Sequence, residues 1–356
     1  MRLKKLREKL ATVGLDAMLI TRPQNARYLS GFTGGDGVVL VVTPQEAIAV
    51  TGFIYREQMQ REAPDWELVE VKNKLVSAFP DLVARLGVRR IGFESTHVTV
   101  DRHREWAEAL PDCELVPVKD VVEDLRAVKD EEEIGVLEKA VALADAAFAH
   151  IVEFIRPGMM EKEVGWELEA YMRTHGAEKV SFDIIVGSGP NGAMPHATVS
   201  ERVIRAGEPI VMDLGAVVDG YCSDMTRTIV IGEPDGTFRA VYDTVLRAQI
   251  HAEAKIMPGM TGQEADAIAR EIITEAGYGE AFGHSLGHGV GLAVHEKPRV
   301  THMQDGNTLV PGMVFTVEPG VYLPGWGGVR IEDMVVLRED GCQVLTKSSK
   351  EPVVPL

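Results

Sequence analysis

Two stretches of this sequence repeat one another 101 residues apart: Ile155 opens IRPGMMEKE and Ile256 opens IMPGMTGQE. Pro157, Gly158, Met159 and Glu163 recur as Pro258, Gly259, Met260 and Glu264. Such a repeat commits the chain to two similar halves that share a core. The likeness continues downstream. AGEPIVMDLG and VPGMVFTVEPG each hold a turn glycine, Gly207 or Gly312, then an apolar strand, then a carboxylate six residues after the glycine, Asp213 or Glu318. Each copy adds a second acid on the next strand: Asp224 in YCSDMTR, eleven residues after Asp213, and Glu332 in VRIEDMV, fourteen after Glu318. Two pseudo-symmetric halves bring these four acids together at one axis.

Ionised acids on apolar strands are expensive to bury unless a cation is present. Two divalent ions would balance four carboxylates. His288 could add a nitrogen ligand; it stands in GHSLGHGVGLAVHEKPRV with His284 and His295. An oxygen-dominated set suits manganese or cobalt at least as well as zinc, and differs from a tetrahedral structural zinc site. Two neighbouring metals commonly share a water-derived nucleophile. The plainer readings are that one acid at a strand end is a turn or cap residue, and that GHGVG is a tight glycine turn. Four acids in matched positions weigh against both. GSGPNG, residues 187–192, lacks the GK[ST] ending of a phosphate loop and is read as an ordinary loop. His97, His103, His150, His175, His251 and His302 have no comparable company and are read as surface or core residues.

The first third of the chain alternates helix and strand: an opening helix, then DAMLI, GVVLVVT, EAIAVTG, helical KLVSAFPDLVARLG, the strand RIGFE and a helix near RHREWAEAL. KDEEEIGVLEKAVALADAAFAHIVEFI follows as a long helix whose acidic start suits its dipole. The domain boundary is expected just before it, giving residues 1–122 and 123–356. A net charge of −17 argues against nucleic acid as a partner. The three cysteines form no CxxC pattern and fit a reducing cytoplasm. Neither a signal-peptide core nor a run of transmembrane length is present in the sequence, so no membrane role is expected.

The ordered set Asp213 in MDLG, Asp224 in SDMTR, His288 in GHGVG, Glu318 in VEPG and Glu332 in IED resembles the five-ligand signature of the pita-bread metallopeptidases. That family includes methionine aminopeptidase, Xaa-Pro aminopeptidase, prolidase and the metal-free creatinase. DAMLI…NARYLSGFTGG is also similar to the creatinase-type N-terminal domain of the proline-specific members. The resemblance implies an α/β (α+β) protein with a creatinase-like first domain and a pita-bread catalytic domain. It implies a homodimer, and two divalent ions: manganese first, with cobalt or zinc as alternatives.

The resemblance also implies roles. Asp224 and Glu332 would bridge the metals, Asp213 would chelate one, and His288 with Glu318 would complete the other. His196 and His295 match the substrate-side histidines that hold the peptide carbonyl and its oxyanion, and His284 matches a third beside the proline site. Glu318 doubles as the candidate proton shuttle. Tyr322 and Arg330 match pocket or supporting positions. The implied activity is hydrolysis of the Xaa-Pro bond of small peptides with proline second. A dipeptidase must reward proline's free carboxylate. Arg299, four residues beyond His295, is the leading candidate for that contact, ahead of Tyr221 and of Arg22 or Arg27 of the partner subunit. The two-domain length leans towards Xaa-Pro dipeptidase. Xaa-Pro aminopeptidase is the alternative, and a metal-free creatinase-like hydrolase or an inactive binding module is more remote.

Overall fold

Alternating local signals in the first third of the chain produce a six-stranded mixed sheet in the computed structural model, which describes residues 2–303 and 307–356. The chain divides into two compact units, Met1–Arg126 and Ala127–Leu356. In the first unit the sheet runs Glu67–Val71, Ala47–Gly52, Val38–Val42, Ala17–Ile20, Arg90–Glu94, Glu114–Val118 in spatial order. The two wholly buried strands, AMLI and VVLVV, sit at its centre and are continuous apolar runs, as a strand covered on both faces requires. The edge strands ELVEV and ELVPV are absent from the sequence reading. Each is short, partly exposed and charged or proline-bearing, so neither shows strong apolar alternation. The expected helix over KLVSAFPDLVARLG is a 3-10 turn, Leu75–Ala78, followed by an α-helix, Phe79–Leu86. Pro80 lacks an N–H and is tolerated only in the first turn of a helix, so the α-helix restarts there.

The second unit is built twice over. Helices Glu131–Phe154 and Glu161–Thr174 precede strands Ile185–Ser188, Pro209–Leu214 and Met225–Ile231. Helices Gly236–Lys255 and Gly262–Glu275 precede Gly287–Gly289, Val314–Val317 and Asp333–Arg338. In each half the middle strand pairs antiparallel with both others. Asp130 caps the long helix and Glu133 completes a capping box.

The repeated motif has a local cause. Gly158 and Gly259 hold φ of 98° and 91°, a left-handed conformation open to glycine. Their N–H groups donate to Ile204 O and Leu309 O, each at 2.9 Å. Glu163 and Glu264 each accept the backbone N–H of the residue just before their helix, Met160 at 2.8 Å and Thr261 at 2.7 Å. The same turn therefore introduces the second helix of each half. Among the described residues no helix is long and apolar enough to cross a membrane.

Candidate metal centre

Strand pairing places the acids. Asp213 lies opposite Thr226, and Asp224 is two residues before Thr226, so all three share one face. In the other half Val317 pairs with Asp333, and one position beyond that pair each strand delivers its acid, Glu318 and Glu332. The Glu332 N–H donates to Thr226 O at 3.1 Å, which links the halves at this point. Asp213, Asp224 and Glu332 are buried.

His288 sits between two glycines because backbone passes close on both sides. A Cβ on Gly287 would lie 2.0 Å from Thr316 O, and one on Gly289 would lie 2.0 Å from Lys297 O. The segment is a strand, not the tight turn of the plainer reading. The His288 Nδ1–H donates to the Gly289 carbonyl at 3.2 Å. This assigns the lone pair to Nε2, which faces Glu318 Oε1 at 3.3 Å and Asp224 Oδ2 at 3.6 Å. One ligand atom each from Asp224, His288 and Glu332 lie within 4.8 Å of one another.

The electrostatics favour a bound cation. Burial, then the neighbouring acids, pushes Asp224 and Glu332 well above the usual carboxylate range. Burial likewise lifts Glu318 to about 7. Arg330 is the guanidinium among them, and its Nη2 donates to Asp213 Oδ2 at 2.6 Å. Asp213 Oδ1 is buried with no hydrogen-bond partner. An orphaned carboxylate oxygen, an imidazole lone pair aimed at carboxylates and strained acids together fit divalent ions with oxygen and nitrogen ligands.

Arg330 ties the surroundings together. It donates to Thr226 Oγ1 at 2.9 Å, Tyr322 Oη at 2.8 Å and Pro195 O at 3.2 Å, the last beside His196. His284 Nδ1 donates to Ser285 O at 2.8 Å, so Nε2 accepts from the Tyr322 hydroxyl at 2.9 Å. Burial lowers His284 to about 4, which keeps it neutral. With both nitrogens engaged, it offers only its ring to a substrate.

His295 packs its ring 4.0 Å from His288 and is lowered by partial burial and then by His288 and His196. His196 is exposed and close enough to influence His284, His295 and Glu318. Arg299 lies opposite His288 in the strand pair, exposed, with no ion pair to any described residue. Tyr221 is directed elsewhere: its buried hydroxyl donates to Glu133 Oε1 at 2.7 Å.

Several supporting residues escaped the sequence reading. Thr226 Oγ1 donates to Glu332 Oε2 at 2.6 Å, and Thr316 Oγ1 donates to Glu318 Oε1 at 3.0 Å. The available signal is period two: each threonine is two residues from an acid, Thr226 from Asp224 and Thr316 from Glu318. Arg227 donates to Glu332 O and to Asp333 Oδ1, each at 2.6 Å, and Lys350 reaches Asp333 Oδ2 at 2.6 Å. No local pattern announces these contacts.

Behind this network Glu253 is pushed up to about 8, by burial first and by Asp333 second. Its folded value lies above the unfolded one near ~4.3. The folded protein therefore holds a proton that the unfolded chain releases, and stability falls as pH rises between those values. Glu253→Gln should melt with the parent near pH 4 and above it at pH 8 and beyond. Thermal unfolding across buffers checks this; a gap that stays constant with pH would contradict it.

Residues 135–339 match Metallopeptidase family M24, and residues 2–128 match the Creatinase/Prolidase N-terminal domain. The solved Xaa-Pro dipeptidase from Bacillus anthracis is 44% identical, with a TM-score of 0.96, over 100% of this chain and 99% of that one. The Xaa-Pro dipeptidase of Pyrococcus furiosus is 40% identical over 98% of this chain and 99% of its own length. The crystal structure of X-Pro aminopeptidase from Thermotoga maritima MSB8 is 39% identical, with a TM-score of 0.90, over 98% of this chain and 100% of that one.

Proposed function

This chain belongs to metallopeptidase family M24, and from that premise we propose that it is a dinuclear-metal exopeptidase hydrolysing the Xaa-Pro bond of small peptides, foremost Xaa-Pro dipeptides. The observation that carries the peptidase reading is the convergence of Asp224, His288 and Glu332, with Asp213 beside them holding an unsatisfied oxygen. Asp224 and Glu332 would hold both ions, Asp213 one of them, and His288 with Glu318 the other. Bound divalent ions supply carbonyl polarisation and a water ionised near neutral pH.

The chain's own residues do the rest. Thr316 holds Glu318 Oε1, leaving Oε2 to take the proton of the attacking water and pass it to the leaving proline nitrogen. His196 and His295 would donate to the carbonyl oxygen as it gains charge. The His284 ring, held by Tyr322 and Arg330, forms a wall for proline. The exposed Arg299 supports the dipeptidase preference, because it offers a cation to a free carboxylate next to His288.

Manganese as the physiological ion, a homodimer and a cytoplasmic setting extend the same reading. The oxygen-rich donor set supports the first, the family resemblance the second and the cysteine pattern the third. Assay of the metal-reconstituted protein on matched Xaa-Pro and Xaa-Pro-Yaa peptides tests the preference, with faster turnover of the dipeptide expected. Equal or faster cleavage of the tripeptide would move the assignment to Xaa-Pro aminopeptidase.

A further inference from the structure

We propose that Lys129 and Glu296 form a positioning pair for His288 and His295, an inference that rests on the peptidase reading above. The two side chains are 1% and 6% exposed, with Lys129 Nζ 2.8 Å from Glu296 Oε1. The chain folds around this carboxylate. Glu296 Oε2 accepts the Ala293 N–H at 3.3 Å, and a Cβ on Gly291 would meet Oε1 at 2.3 Å, so any larger residue there would displace this carboxylate. The Gly291 N–H closes the turn on Ala293 O at 3.0 Å.

That turn places His295 with its ring 4.0 Å from His288, and its far end pairs Glu296 with Gly289, whose carbonyl accepts from His288 Nδ1 at 3.2 Å and so leaves Nε2 free for a metal. Lys129 is itself anchored. Its N–H donates to Gly312 O at 2.8 Å, and Val128 bridges to Met313, just ahead of the strand Val314–Val317 that leads into Glu318. The ion pair thus joins the histidine-bearing turn to the base of the strand leading into Glu318. Neither residue touches the centre, and both act through the turn. Removing one charge leaves the other buried without its counter-charge. Opening the turn to hydrate it carries His295 away from His288.

The test uses full-length, metal-loaded protein as parent, Lys129→Met, Glu296→Gln and the double variant. Each is measured for kcat and KM on an Xaa-Pro dipeptide and for bound metal, and zinc-loaded, ¹⁵N-histidine-labelled samples report the His288 Nδ1 proton by NMR. We expect each single variant to keep its metal at saturating concentration, lose about 10–100-fold in kcat with little change in KM, and show a shifted or faster-exchanging Nδ1 proton. The double variant, with no bare charge, should recover much of both. Glu296→Gln preserves shape and serves if Lys129→Met does not fold. Parent-like kcat with an unchanged His288 signal, or a double variant whose losses simply multiply, overturns the proposal. If the parent cleaves no Xaa-Pro peptide, the peptidase reading fails while the His288 signal still decides the positioning role.

Discussion

Asp224→Asn should lose metal and turnover together, with activity falling on the order of 10³-fold or more, since the ions supply both nucleophile and polarisation. Asp224 is the acid whose neighbours include Glu332, Asp213 and Glu318, all of which resist its ionisation when no cation is present. The same fact yields a second, opposite-signed effect. In chelator, the parent must either keep protons on these acids or tolerate their repulsion, and Asn removes one member of the cluster. The metal-free variant should therefore melt above the metal-free parent, while the metal-loaded parent melts above both. Metal analysis, turnover and thermal unfolding with and without chelator measure all three. Chelation should abolish parent activity, and manganese or cobalt should restore it. Undiminished activity in a metal-free preparation would sink the metal assignment. A variant that melts below the parent in chelator would refute the charge argument alone.

Arg299→Ala separates substrate classes. A guanidinium bound to a carboxylate contributes roughly 1.5–3 kcal/mol, so KM for Xaa-Pro dipeptides should rise about 10–100-fold. Tripeptides, whose proline carboxyl is amidated by the next residue, should be nearly unaffected. kcat should change little for either, because the contact is equally present in ground and transition states. Arg299 is well suited to this role: it is exposed, faces the strand of His288 and is bound to no described acid. Equal effects on both substrate lengths would show that Arg299 supports the strand rather than the carboxylate.

Legibility differed sharply between the acids and their supports. Asp213, Asp224, Glu318 and Glu332 were found by repetition, because duplicated halves preserve position relative to a turn glycine. Thr226 and Thr316 left a faint trace in the period of their strands. Arg227, Lys129 and Lys350 left none. Their partners Asp333 and Glu296 lie 106, 167 and 17 residues away, and a buried ion pair is specified by the shape of the interior rather than by neighbours in sequence. Tyr221 shows the converse. The sequence offers it as a lesser candidate for the proline carboxylate, while its hydroxyl meets Glu133, because a strand side chain follows its own face regardless of which motif it adjoins.

By itself the sequence determined that two like halves exist, that each delivers two acids at strand ends, and that glycines at 158, 207, 259 and 312 make the turns leading to them. These are short-range matters of backbone conformation, periodicity and the cost of burying charge. Only the tertiary structure decided that Glu318 stands opposite Glu332, that His288 turns Nε2 towards Asp224, and that Arg330 holds Asp213, Tyr322 and Thr226 at once. Each depends on strand register or on distant backbone carbonyls. Register moves side chains between faces with a one-residue slip, and it is set by the packing of the whole sheet, not by any local stretch.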